Sequence, residues 1–390
     1  MKYANNPLPQ PSQKITDLKF KEAPPTNEQS QFVVFQDSSS YDGSFKDGKK
    51  HGFGVLSLSN DDKYTGDFNE DIIEGKGKYV WANGQVYEGD WSNNKFNGKG
   101  KIIFESKKID EETKTIYYEG DFVDGKKQGN GKFCDEIKNE SYEGNFNEDK
   151  MEGKGKFNSP IGEYNGDFKG GIKMGEATFI SQNGDKYIGE YEDNKKNGKG
   201  EMFFINGDYY KGEYKNDLRN GKGEYIWKEG SKYIGDFVDD KKEGTGKYIF
   251  SNKDKYIGEF SDDKRNGKGK YINHKGGYYD GEWKNDIKEG KGTYVYRDGQ
   301  KYEGEFKNDM KNGKGCYEWL FGQRYEGNFT NGQIQGKGVF YWKEIEKEES
   351  GNDRIIEKSL EGVFSNEKIQ FFQKEIKLSK KQAAKLSKLK

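Results

Sequence analysis

Aromatic residues and glycines alternate along this chain, with polar residues between them, in a unit that recurs mostly every 23 residues. Each copy reads Tyr-x-Gly-x-aromatic, then six residues, then Gly-x-Gly-x-aromatic. The opening tyrosines are Tyr41, Tyr64, Tyr87, Tyr118, Tyr142, Tyr164, Tyr187, Tyr210, Tyr233, Tyr256, Tyr279, Tyr302 and Tyr325. With that Tyr as position 0, Gly falls at +2, an aromatic at +4, Gly at +11 and +13, and usually an aromatic at +15. Both halves alternate with period two, the spacing of a strand with unlike faces. Polar stretches such as SDDKRN lie between the halves and predict a hairpin loop. Each unit is therefore expected to be one β-hairpin, and the chain a stack of them.

Gly in a strand costs roughly 0.5–1 kcal/mol relative to Ala. The repeated use of Gly is explained if each missing side chain lets a ring lie against backbone. A single hairpin is marginal, whereas stacked hairpins share one sheet and bury one another's rings. The other face is charged. Position +3 is mostly acidic and position +12 mostly Lys, which predicts cross-strand ion pairs within each hairpin. Two strands per unit at about 4.8 Å give a rise of about 10 Å, and hence a twisted rod on the order of 130 Å long.

Composition sharpens this picture. Only 30% of residues are hydrophobic and 35% are charged, too few apolar groups for a large globular core. Disorder is opposed by the 15% aromatic content, carried at fixed positions. Net charge is −1, so nothing drives the whole chain toward nucleic acid or membrane. No apolar run is long enough for a membrane helix, the N-terminus lacks a signal-peptide core, and two cysteines make no disulfide framework. A cytoplasmic protein is expected.

At these residues the chain resembles MORN-repeat proteins (membrane occupation and recognition nexus). Tyr41, Gly43, Phe45, Gly48, Gly52 and Gly54 follow that family's pattern, as do Tyr87, Gly89, Trp91, Gly98 and Gly100. Most later units lack the family's Gly at +7 and carry an acidic or amide residue there. The resemblance covers about residues 41–340. It implies an all-β, elongated, single-layer twisted antiparallel sheet of about 13–14 hairpins. It also implies a non-enzymatic scaffold, of the kind found in radial-spoke heads, membrane junctions and protist cytoskeletons.

The boundaries follow from composition. Residues 1–30 hold five prolines and predict an extended arm, either a plain tail or a partner-binding one. Residues 31–340 carry the repeats, beginning with a strand at QFVVFQ that covers the first hairpin's edge. Eight extra residues within ESKKIDEETKTIY predict a longer loop. Ala177, in place of the second Gly, and Pro160 predict a kink near 160–180. Residues 341–364 hold a charged insertion and a damaged last repeat, Leu360, Gly362 and Phe364. Residues 365–390 predict a basic amphipathic helix that either caps the sheet or binds an acidic partner, anionic lipid or calmodulin through Lys374, Lys377, Lys380, Lys381 and Lys385.

No P-loop, zinc-ligand spacing or nucleophile motif occurs, so no enzymatic activity, cofactor or metal is expected. The expected function is a scaffold for other proteins of a cytoskeletal or axonemal complex such as a radial spoke. Its binding face would include Tyr187, Tyr210, Tyr233, Phe237, Tyr256, Phe260, Tyr279, Trp283, Tyr302 and Phe306. A homodimer through that face or through terminal strands stays open, as does a membrane tether that meets anionic phospholipid through the lysine rows and the tail.

Overall fold

Large side chains alternating with glycines on one strand face leave room for rings to lie down, and that arithmetic sets the architecture. The computed structural model describes residues 3–22, 30–347 and 353–369. The chain is all-β and divides into two units, residues 1–205 and 206–390. Within each unit, consecutive strands pair antiparallel, hairpin after hairpin. The opening strand Ser30–Val34 pairs with Ser40–Lys46 and covers the first hairpin's edge, as expected.

The hairpin Lys255–Ser261 and Lys264–Ile272 shows the unit's construction. Tyr256 pairs with Tyr271, Gly258 with Gly269, and Phe260 with Arg265. The Tyr256 ring lies over the paired glycines. A Cβ added at Gly269 would come within 2.1 Å of the Tyr256 hydroxyl, and one at Gly258 within 2.4 Å of the Gly269 backbone. The ring is fully buried, and its hydroxyl donates to the Glu259 carbonyl at 2.9 Å. Burial also pushes the phenol's pKa upward, so the ring stays neutral and a donor.

These rings form a continuous herringbone. In unit two, Tyr233 meets Phe237 and Phe260 edge-on at 5.2 and 5.1 Å, and Tyr256 meets Phe260 and Trp283 at 5.1 and 5.4 Å. Unit one repeats the pattern, with Tyr41 between Phe45 and Phe68 at 5.1 and 5.2 Å. Each such pair adds about 0.5–1.5 kcal/mol beyond area burial. The ring at +4 therefore locks its own hairpin to the one before.

Several expectations need correction. The polar stretch between the halves is not a six-residue loop. The strands run to a two-residue turn with both residues at positive φ, such as Asp262 (φ 53°) and Asp263 (φ 67°). Two-residue turns of this hand match the twist of the flanking strands and favour Asn, Asp and Gly. The alternation is also broken. The ladder shifts register between Gly258 and Phe260, opposite Gly267, which has φ 80°. Gly at +11 is thus a bulge residue and makes no berth for a ring.

The ion pairs also run elsewhere. Within one hairpin the +3 acid accepts the main-chain N–H at +12, as Asp67 does from Lys76 at 3.1 Å. The Lys76 ammonium instead reaches Asp90 of the next hairpin at 2.8 Å, and Lys154 reaches Asp167 at 2.9 Å. The bulge displaces the +3 residue from its in-hairpin partner. The next strand has no such shift there, so Lys76 sits directly across from Asp90.

The +7 residue has a second function. Asp263, Asp286 and Asp309 each accept, at 3.0 Å, the main-chain N–H of the +9 residue one hairpin earlier: Lys242, Arg265 and Lys288. Replacing the family's Gly by Asp keeps a tolerated positive φ and adds a clamp between hairpins.

The extra residues of the third unit lengthen two strands and do not form a long loop. Residues Glu105–Ile109 pair with Glu112–Ile116 around a turn at Asp110 and Glu111. In the charged insertion, strand Gln333–Lys347 pairs with Asp353–Ser365 from Gln335 to Lys347. Around Pro160 the ladder is continuous from Lys150–Ser159 through Lys186–Glu192, because Pro160 sits in the turn and Ala177 pairs with Gly166 in the usual register. A single helical turn spans 366–369, and the five tail lysines lie outside the described residues.

Gly246→Ala would place a Cβ 2.4 Å from the Tyr233 ring. Denaturant unfolding should show a loss of roughly 1–3 kcal/mol, the range for overpacking. Gly230→Ala meets no atom within 4 Å but sits at φ 93°. It should lose only about 1 kcal/mol, from backbone strain.

Candidate docking face

On the aromatic side of each hairpin, three cross-strand pairs lie in a row: the opening Tyr with +15, Gly with Gly, and +4 with +9. The ten rings expected to meet a partner are placed beneath this surface. Tyr187, Tyr210, Tyr233, Tyr256, Tyr279 and Tyr302 are fully buried, and Phe237, Phe260, Trp283 and Phe306 are 3–5% exposed. They form the core of the sheet: each glycine pair seats its tyrosine flat against the backbone, and the +4 rings close on those tyrosines edge-on. The residues that face outward are those at +9, +15 and +17.

In unit one the arm already covers that surface as far as Gly171. Residues 3–22 run back across the hairpins, from Gly171 to Phe45. Ala4, Leu8 and Ile15 are at most 5% exposed. Tyr3 stacks on Phe104 at 5.0 Å. The Lys127 ammonium donates to the carbonyls of Tyr3, Ala4 and Asn6 at 3.0, 2.9 and 3.2 Å. Trp81 Nε1 donates to the Gln10 carbonyl at 3.2 Å, and the Ser12 N–H donates to the Tyr79 hydroxyl at 3.1 Å. Burial pushes Lys127 down to about 8, with Asp149 pulling the other way. The arm is therefore a docked strap. The prolines that mark it in sequence do not reveal this; the buried Ala4, Leu8 and Ile15 are too sparse to form a pattern.

Glycines at +7 mark the arm's path. Met151 carries an N–H of the kind that a turn side chain clamps elsewhere, but the next turn offers Gly171. Asn5 of the arm supplies the acceptor instead, at 3.0 Å from the Met151 nitrogen. A Cβ at Gly171 would lie 2.4 Å from the Asn5 amide, and one at Gly125 would lie 2.6 Å from Gln10 Oε1. Absent side chains there admit the arm's amides.

Unit two has the same columns with different chemistry. The +15 residues under the arm in unit one, Tyr79, Ile102 and Phe133, are buried; Tyr225, Tyr248, Tyr271, Tyr294 and Tyr317 in unit two are half-buried. At +9, unit one mixes Ile73, Phe96 and Met151 with Lys50, Lys127, Lys173 and Lys196, whereas five successive hairpins of unit two carry only cations: Arg219, Lys242, Arg265, Lys288 and Lys311. Each cation lies over rings. The Arg265 guanidinium sits 4.2 Å from the Trp283 centroid, and Lys311 Nζ sits 4.5 Å from that of Tyr317.

Three of these five tyrosines are held by fixed acceptors. Tyr225 donates to Asp208 at 2.7 Å, Tyr271 to Asp254 at 2.5 Å and Tyr317 to Gln300 at 2.8 Å. Burial pushes the Asp254 carboxyl up, yet Tyr271, the His274 N–H and ring, and Asn252 together hold it well below the usual carboxylate range. The result is a rigid trough of aromatic faces, hydroxyls and partly shielded cations. Among the described residues, no group of His, Cys, Asp and Glu is placed to hold a metal ion, and no helix is long and apolar enough to cross a membrane.

The family model for the MORN repeat matches thirteen segments: 41–63, 64–86, 87–107, 118–136, 142–163, 164–186, 187–209, 210–232, 233–255, 256–278, 279–301, 302–319 and 325–344. No curated protein matches the chain.

If Lys127 anchors the arm, Lys127→Met should keep the packing of that column while removing three charge-assisted hydrogen bonds. Hydrogen–deuterium exchange over residues 3–12 should rise by about tenfold or more, with the hairpin strands unchanged.

Proposed function

The chain belongs to the MORN-repeat family, and from that premise we propose that it is a scaffold that binds other proteins through the aromatic side of its sheet. MORN repeats occur in scaffolding and membrane-binding proteins, and a non-enzymatic role is consistent with this repeat architecture. One observation carries the reading: unit one holds an extended polypeptide, its own residues 3–12, across that side through hydrogen bonds and buried side chains. The same side of unit two offers more exposed rings, fixed hydroxyl oxygens and ring-shielded cations. Interfaces favour such groups, Tyr, Trp and Arg above all.

Within that class we assign the protein to a cytoskeletal assembly of axonemal, radial-spoke-like type. The support is resemblance to proteins that carry the same repeat in such assemblies. A membrane tether is the weaker reading. The lysine row that suggested it is matched by carboxylates, with Lys76 on Asp90 and Lys154 on Asp167.

Tagged protein should be recovered, with specific partners, from the detergent-insoluble axonemal fraction of ciliated cells. It should not float with anionic vesicles at about 0.15 M salt, where exposed charges are screened beyond about 8 Å. Recovery only in soluble material would contradict the axonemal assignment, and flotation would restore the membrane reading.

A further inference from the structure

We propose that Lys311 and Gly332, in the trough of unit two, form a station for an extended segment of a partner protein that presents an aspartate or glutamate. The inference rests on reading this face as a protein-docking surface.

Four of the five +9 cations of unit two have a carboxylate from the next hairpin's turn. Arg219 meets Asp240 at 2.8 Å, Lys242 meets Asp263 at 3.8 Å, Arg265 meets Asp286 at 2.9 Å and Lys288 meets Asp309 at 3.7 Å. Each carboxylate also accepts the cation's own main-chain N–H at 3.0 Å. Lys311 faces the turn Asn331–Gly332, where the clamping side chain is missing. Among the described residues no carboxylate reaches its ammonium and no acceptor reaches its N–H. The ammonium lies among the rings of Tyr317, Tyr302, Phe329 and Tyr296, 4.5 to 5.9 Å from their centroids. Burial is what pushes its pKa down. A shielded cation beside an unmet N–H asks for one group: a carboxylate that meets both, as Asp309 Oδ1 does at Lys288, 3.0 Å from its nitrogen and 3.7 Å from its ammonium.

The chain already fills one such vacancy from outside the hairpin. Gly171 leaves the Met151 N–H unclamped, and Asn5 of the strap takes the turn side chain's place. An amide suffices there because Met151 is neutral. The cationic Lys311 selects an acid. Gly332 leaves the space open, with no atom within 4 Å of an added Cβ.

The strap also sets the spacing. Between Ala4 at Lys127 and Ser12 at Tyr79 it crosses two repeats. From residue 4 to residue 12 it spends about four residues per hairpin, a little more than the roughly three that a fully extended chain rising about 3.1 Å per residue needs for 10 Å. A segment of about ten residues carrying the acid would therefore run from Lys311 past the rings of Tyr294 and Tyr271. The arm of a second copy fits less well, because its residue at that place, Asn5, carries no charge.

The probe is a fluorophore-labelled peptide with the sequence of residues 3–12 carrying Asn5→Asp, titrated by anisotropy with the full chain. Lys311→Met should weaken binding at least about tenfold. Gly332→Asp, which installs the carboxylate in cis, should do the same. That variant should fold, because Asp holds the matching position at φ 65–70° in the four preceding hairpins. The peptide with the native Asn5 should bind more weakly than the probe. Unchanged affinity in both variants would overturn the proposal, as would loss of binding in Lys127→Met alone. A dimer that dissociates when residues 1–22 are deleted would give the trough to a second copy, and would also overturn it. If Gly332→Asp still captures the partners recovered from cells, this station falls while the scaffold reading stands.

Discussion

A tyrosine ring lying flat on a pair of glycines is the contact on which the hairpins depend, with Ala177 standing in for one glycine at Tyr164. Neither element alone has a reason to be there. A strand glycine is a loss without a ring above it, and a buried phenol needs both a flat seat and an acceptor. The pair of glycines gives the seat, and the +3 carbonyl accepts the hydroxyl. This arrangement lets a chain that is only 30% hydrophobic hold a core. The core is one ring thick, and the next hairpin's +4 aromatic closes it edge-on.

Because that layer is sealed by the chain's own rings, function moves to the layer outside it. There the two units diverge through two positions. At +9, unit one offers Ile73, Phe96, Met151 and two buried lysines, Lys50 and Lys127, along a strap of its own sequence, whereas unit two offers cations over tyrosine rings. At +7, a side chain clamps the preceding hairpin and a glycine leaves that clamp for something else. Asn5 takes the place at Gly171, so a single missing side chain decides whether the surface is closed from within or open to an outside group.

Much of the fold was legible because its determinants are periodic. The tyrosine and glycine positions gave the hairpins, the strand at 31–36 and the berths for rings. What periodicity misled about was the bulge. Gly at +11 and Gly at +13 look alike in sequence, yet Gly267 serves a positive φ and Gly269 serves Tyr256. The shift at that bulge also carries the ion pairs over to the next hairpin. Extra residues at Glu105–Ile116 read as a loop because no repeat signal marks them, although two strands simply grow longer. The docking face was the least legible part. The rings that recur most strictly were expected outside, yet strict recurrence marks the core. The outward residues vary from hairpin to hairpin, as Ile73, Lys127 and Arg265 do.

The central claim concerns rings above glycines, and aromatic rings shift the resonances of protons beneath them. Glycine-selective labelling and NMR of the Hα resonances would test it directly. The account predicts a family of strongly upfield-shifted Hα signals from Gly at +2 and +13, such as Gly258 and Gly269, with Gly at +11, such as Gly267, left outside that family. Glycine Hα signals clustered near unperturbed positions throughout would contradict it.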